Sequence, residues 1–368
     1  MLIGIDVSRA NLTHKSGVEW YAYHLLDQFF KLDKKNQYLL YTPQKLTGAL
    51  IPRSSNFKEK VLEWPFKKLW TLGRLTWEMV THKPDVLFVP SHTFPFIGGH
   101  KNIITWHDIG YEKYPETYTA WDLQSLKQGA GRMIKMADTI IAVSQFTKNE
   151  LVEYYGLKPD LIKVVHLGIN NQRWRPAPKE AVAELLQTLK IHYPYFVFIG
   201  RLALRKNIVG LIRIYNCFRE KQKRPFNLVL AGSPEPGQQD IDAEIQASPY
   251  RDEIKKIGWL DLEQLPVLMS GARAFLFPSI YEGFGLPALE AMACGVPVIA
   301  SNAGSLPEII GNAGVMHNTH DVEAFAKSMI KINEDQVWRD DLIAKGMRRV
   351  QDFSWEKCAT ETLSILNS

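Results

Sequence analysis

Cysteine is scarce in this chain: three in 368 residues, at Cys217, Cys294 and Cys358. Their spacing suits neither a metal site nor a disulfide framework, so a reducing compartment and a fold held by its core are expected. No apolar run approaches the roughly 18 residues of a membrane-crossing helix. The first residues, MLIGIDVS, read as a strand and not as a leader, since no basic stretch precedes a long apolar one. A cytoplasmic location follows as the expectation. Internal repeats and low-complexity tracts are missing. So are clustered RNA-binding motifs and the G-x-G-x-x-G dinucleotide fingerprint, and nucleic acid is not an expected partner.

What is present fits an ordinary globular protein. The length is generous for one domain and comfortable for two, and hydrophobic residues make up 46%. Residues 1–175 carry a net charge of +7 and the remainder −2. A basic first half suits an acidic acceptor or the inner face of an anionic membrane, though solvated surface charge explains it equally.

The most informative stretch is 275–301, FLFPSIYEGFGLPALEAMACGVPVIAS. It reads as strand, glycine loop, short helix, glycine stop and strand. Gly283 and Gly285 let backbone approach a ligand closely, Pro287 suits the first helical position, and Gly295 suits the residue just past a helix end. Unpaired N–H groups near Gly285 to Ala288, at a helix start, favour phosphate. Glu282 in the loop and Glu290, read as lying in the first helical turn, flank that anion site with groups that accept from sugar hydroxyls. Each glutamate alone reads as a solvated charge. The combination resembles the E-x7-E element of family-4 retaining glycosyltransferases, and Phe284 falls within the same motif.

Further parts of the chain resemble that family. FIGRLALRKNIVGLI, residues 198–212, is similar to its G-R…K-N element, in which Arg201 and Lys206 would neutralise the donor diphosphate. Independently of the family, a leaving nucleoside diphosphate needs positive charge where negative charge develops. The intervening Arg205 reads as solvated. In TWHDIGYEKYP, residues 105–115, His107 ends a strand, and the H-D pair with the Tyr-Pro downstream resembles the mannosyltransferases of the family. That implies a role for His107 near the donor's sugar ring, while Asp108 reads as orienting the loop. Gly17, at the first strand-to-helix turn, departs from the family's Gly-Gly or Thr-Gly pair because Ser16 precedes it. Trp259, in IGWLD, is either a neighbour of the nucleotide base or a rim aromatic. Asp240 and Asp242 form a D-x-D, but they precede a helical pattern where aspartate is expected for dipole reasons.

Short β-like runs at 38–41, 60–63, 85–89, 102–106, 139–143 and 163–166, separated by helical stretches, argue for a doubly wound α/β sheet. Thr147 with Glu150 suggests a capping box, Ser144 being an alternative cap. Residues 63–80 place Trp, Leu and Phe near Lys67, Lys68 and Arg74. This reads as a core helix with its lysines outside, or as an interfacial membrane helix.

The resemblance implies two facing Rossmann-like domains (GT-B) with a cleft between them. Residues 1–175 would bind the acceptor and 178–345 the nucleotide-sugar donor, and helix 352–366 would pack back on the first domain. It implies retaining transfer of a hexosyl unit, with mannose from GDP-mannose favoured by the H-D…Y-P element, to a glycan or lipid-linked sugar. No metal and no other cofactor are expected. A nucleotide-sugar 2-epimerase or hydrolase on the same plan, and a silent glycan-binding subunit, are the rival readings.

Overall fold

The structure is a computed structural model that describes residues 1–13, 15–66, 69–233 and 237–368. The chain forms two compact units and passes between them four times. The first unit comprises Met1–Lys113, Ala120–Gly168 and Ser354–Ser368. The second comprises Tyr114–Thr119 and Ile169–Phe353.

The sheet of the first unit has seven strands: β1 Leu2–Asp6, β2 Gln37–Thr42, β3 Phe57–Val61, β4 Val86–Val89, β5 Lys101–Trp106, β6 Thr139–Ala142 and β7 Ile162–Val164. They run in the order β3-β2-β1-β4-β5-β6-β7, all parallel. Short apolar runs such as VLFV in β4 are buried on both faces, as a parallel sheet under helices requires. The strand expected at 60–63 lies at Phe57–Val61, where it takes register against β2 from Tyr38 to Thr42.

Helix Gln145–Tyr155 is capped by Ser144, whose hydroxyl accepts from Thr147 N–H at 3.0 Å. Thr147 is therefore inside the helix and not its cap, because the Ser144 oxygen sits where the third helical amide points. The stretch 63–80 mixes its two readings. One widened turn, with Leu75 N–H donating to Trp70 O at 3.1 Å, leads into helix Thr76–Thr81. Leu75 and Met79 face the core while Phe66, Leu69, Trp77 and Val80 are exposed. Arg74 turns to the buried Glu78 at 3.1 Å, which also pairs with Lys60. Lys67 and Lys68 lie outside the described residues.

Helix Trp355–Leu366 packs on helix Gly17–Leu32: Trp355 stacks on His24 at 4.8 Å, and Asn36 donates to Asn367 at 2.9 Å. Gly168 permits that approach, since a Cβ there would fall 2.1 Å from Trp355 N. Among the described residues no helix is long and apolar enough to cross a membrane.

The second unit is a six-stranded parallel sheet: β8 Tyr195–Ile199, β9 Asn227–Ala231, β10 Ile254–Gly258, β11 Phe275–Phe277, β12 Val298–Ser301 and β13 Val315–His317. Its order is β10-β9-β8-β11-β12-β13. The chain winds outward from β8 through β9 to β10 and returns to place β11 on the other side of β8. Between β8 and β11 the winding reverses, and in open α/β sheets ligands bind beyond the strand ends at such a point.

Candidate active site

Main-chain hydrogen bonds lace the ends of β8, β9 and β10. Gly200 N–H donates to Ala231 O at 2.9 Å, Leu202 N–H to Ser233 O at 2.9 Å, and Gly232 N–H to Gly258 O at 2.8 Å. A Cβ on Gly232 would lie 1.9 Å from Gly200 O, so only glycine lets these strands close. Arg201 leaves the sheet at this seam with its side chain exposed, and Trp259, 54% exposed, follows β10 on the rim. Lys206 ends a short turn, Leu204–Lys206, ahead of helix Ile208–Lys221. It is buried, with Nζ 5.2 Å from the centre of the Phe277 ring.

The loop after β11 meets this cluster across the switch point. Glu282 is buried, and its Oε1 pairs with Lys206 Nζ. Its Oε2 lies 3.5 Å from Arg205, whose guanidinium also donates to Tyr281 O at 3.3 Å. Arg205 is thus not the solvated charge its sequence position suggested. Its partner is 77 positions away, and no local pattern announces the pairing. Ser305 braces the loop, its amide donating to Glu282 O at 3.0 Å and its hydroxyl to Phe284 O at 2.7 Å.

Burial alone would raise the Glu282 carboxyl. Lys206 and Arg205 outweigh it and hold the group below its usual range. Lys206 is brought down to about 8, by burial first; Glu282 works against that shift, and the Arg205 and Arg201 charges add to it. Two cations therefore hold one carboxylate, and the Arg201 charge bears on Lys206 beside it. Such a cluster favours an arriving polyanion.

Helix Leu286–Ala293 starts beside this cluster. Gly285 caps it at φ +102°, a backbone conformation that other residues rarely adopt, and Pro287 is its second residue. The helix ends in a Schellman motif, with Gly295 N–H donating to Met292 O and Val296 N–H to Ala291 O. Gly283 and Phe284 are buried, Phe284 edge-on to Phe353 at 5.9 Å, and Leu286 is half-buried. Glu290 does not lie in the first turn. Because the left-handed residue is Gly285, helical geometry begins at Leu286 and Glu290 is fifth, one turn further in. It is half-buried, and burial raises it to about 8, with the Arg173 charge opposing. Arg173 lies in none of the stretches that the sequence singled out as a site.

In the first unit the reversal falls between β1 and β4, beside the end of β5, where His107 is buried. Its Nε2 lies 3.2 Å from Pro90 O. A carbonyl only accepts, so the proton sits on Nε2. Tyr21 packs edge-on at 5.0 Å and His92 at 5.1 Å. Burial, and then the neighbouring His92, bring His107 down to about 3, so the ring is neutral near pH 7. Glu19 and Asp108 bear on the same group, and Glu19 also accepts from Ser16 N–H at 2.9 Å and pairs with Arg9 at 3.6 Å. His92, Glu19 and Arg9 went unnoticed in the sequence because they come from two separate loops and the first turn of helix Gly17–Leu32. Gly17 opens the Ser16-capped helix, and a Cβ there would meet nothing within 4 Å.

Asp240 and Asp242 lie in helix Gln238–Ala247, with Asp242 paired to Lys256. Among the described residues no group of three His, Cys, Asp or Glu side chains is arranged to hold a metal ion.

Comparison with known proteins agrees with this geometry. Residues 187–349 match the family described as Glycosyl transferases group 1, and residues 15–173 match Glycosyltransferase Family 4. The O-antigen chain mannosyltransferase B of Escherichia coli is 30% identical over 291 residues, covering 79% of this chain and 76% of that protein. The alpha-maltose-1-phosphate synthase of Mycobacterium tuberculosis is 29% identical over 306 residues, 75% and 78% of the two chains. The sucrose-phosphate synthase structure from Thermosynechococcus elongatus superposes with a TM-score of 0.76 at 22% identity, covering 100% of this chain and 98% of that one. With its two parallel α/β units and the cation-rich switch point of the second, the chain belongs to the family-4 glycosyltransferases of GT-B fold, is mannosyltransferase-like, and transfers a sugar from a donor to an acceptor.

Proposed function

We propose that this protein transfers mannose from GDP-mannose to a hydroxyl of a glycan or lipid-linked acceptor, with retention and without a metal ion. The observation that carries this reading is the cluster of Arg201, Lys206 and Glu282 at the β8–β11 switch point. The likeness to a mannosyltransferase supports the choice of sugar.

The acceptor oxygen bonds to the anomeric carbon on the face from which the diphosphate departs. The carbon–oxygen bond to phosphate breaks, and the acceptor proton passes to the departing phosphate oxygen. Arg201, Lys206 and the amides at Gly285 and Leu286 stabilise the charge that develops there. Gly283 and Phe284 shape that loop. Glu282 accepts from the sugar's hydroxyls, Glu290 holds the ribose, and Trp259 flanks the base. His107 serves the sugar ring as a neutral hydrogen-bonding group, because its burial opposes an imidazolium.

The proposal includes a peripheral contact between the first unit and an anionic lipid surface. Trp77, Val80 and Leu69 are exposed. The Phe96 amide joins the same helix at Thr76 Oγ1 (2.9 Å), and Arg132 stacks on the Phe96 ring at 4.6 Å. Apolar side chains beside cations on a basic half suit such a surface.

Incubating GDP-mannose and UDP-glucose, each with and without acceptor glycans, tests the reading. Transfer from GDP-mannose giving an α-linked product supports it. Turnover of donor without acceptor would favour the epimerase or hydrolase, and transfer from UDP-glucose alone would overturn the choice of donor.

A further inference from the structure

The two oxygens of Glu282 are held by different cations: Lys206 takes Oε1, and Arg205 stands 3.5 Å from Oε2. Arg205 is itself fixed at both ends. Its guanidinium donates to Tyr281 O at 3.3 Å, and its own carbonyl accepts from Ile280 N–H at 2.8 Å. It therefore stitches the loop after β8 to the loop after β11, on either side of the switch point. A buried carboxylate left without a cation is costly, so a carboxylate with one partner would keep that partner.

We infer that Arg205 is a positioning residue that keeps Glu282 paired when Lys206 leaves it for the donor's diphosphate. This inference rests on the reading that a nucleoside diphosphate approaches Lys206. In the free protein Lys206 is committed to Glu282. When phosphate oxygens replace the carboxylate on Lys206, Oε2 stays with Arg205, and Oε1 is vacated facing the loop that receives the sugar. One exchange of partners thus arms the lysine and frees the carboxylate oxygen that accepts from a sugar hydroxyl. Arg201 adds positive charge near Lys206, and Ser279 also bears on Glu282. The same set predicts a pH signature. Arg205 and Arg201 both depress Lys206, so removing Arg205 moves the alkaline loss of diphosphate binding upward by roughly one unit, as expected for a nearby like charge.

The test is a double-mutant cycle on the full chain, with binding of GDP, UDP and ADP measured by calorimetry from pH 6 to 10. Arg205→Gln should weaken the preferred diphosphate about 10- to 100-fold, the range of a lost hydrogen bond to a charged group. Arg205→Lys should recover much of that loss. In a Glu282→Gln background, where no carboxylate needs a cation, Arg205→Gln should change affinity less than threefold. Equal losses in both backgrounds, or an alkaline limb that does not move in Arg205→Gln, would overturn the inference and leave the donor site standing. A parent chain that binds none of the three diphosphates would overturn the donor reading, and this inference with it.

Discussion

Replacing Glu290 with Gln should make stability less sensitive to pH on the alkaline side of the carboxylate range. The side chain is half-buried one turn inside its helix, and burial raises it from 4.5 to about 8. A carboxyl whose folded value is raised binds its proton more tightly in the folded state. Its contribution is therefore full below 4.5 and is lost as pH rises toward 8. At 1.36 kcal/mol per unit the full gap corresponds to about 5 kcal/mol. The half-exposed edge of the side chain lets water screen the charge and reduces this to a few kcal/mol. Glutamine keeps the shape and the hydrogen-bonding groups but has no charge to bury. Urea midpoints of the parent and of Glu290→Gln, taken each half unit from pH 5 to 9, isolate the effect as a difference. The variant should match or trail the parent at pH 5 and exceed it at pH 9. A difference that stays flat across the range would refute the burial argument.

His107 gives the opposite sign. It is held neutral at about 3 against 6.5 unfolded, so its contribution is full above 6.5 and is lost as pH falls toward 3. His107→Gln should lose less stability than the parent between pH 6.5 and 4, by up to roughly 1.4 kcal/mol per unit, read from the same urea midpoints. Arg201→Ala should lower kcat about 100- to 1000-fold, as for a lost donor at developing charge. Excess EDTA, and Asp240→Asn with Asp242→Asn, should leave most activity; loss in EDTA with rescue by Mn²⁺ would refute the metal-free mechanism. Trp77→Ser with Val80→Ser should reduce sedimentation with phosphatidylglycerol vesicles several-fold, and equal binding by the double variant would remove that face from the proposal.

What could be read from the sequence was what lies close along the chain. Residues 275–301 showed their strand, loop, helix and glycine stop because each signal acts on its neighbours: Pro287 near the helix start, Gly295 in the Schellman turn. The register of Glu290 was off because Pro287 occupies the second helical position, not the first. That detail depends on which glycine turns left-handed. Ser144 and Thr147 were two local candidates for one cap, and only the backbone geometry chose between them. Arg205, Arg173, His92 and Glu19 were hidden for another reason. Their partners lie on other loops, and the strand order that brings those loops together is a property of the whole sheet.

The packing of helix Trp355–Leu366 on helix Gly17–Leu32 bears on how the chain is made. Trp355 covers Tyr21 and His24, so the first helix's apolar flank is closed by residues synthesised long after it. The whole of Ile169–Phe353 is translated in between. At about 5–20 residues per second the wait is roughly 10–40 s, during which the first unit has its sheet but not its final covering. The second unit, apart from Tyr114–Thr119, is one continuous segment and can complete itself as it emerges. Synthesis thus lets the second unit complete itself before the first receives its covering helix, Trp355–Leu366.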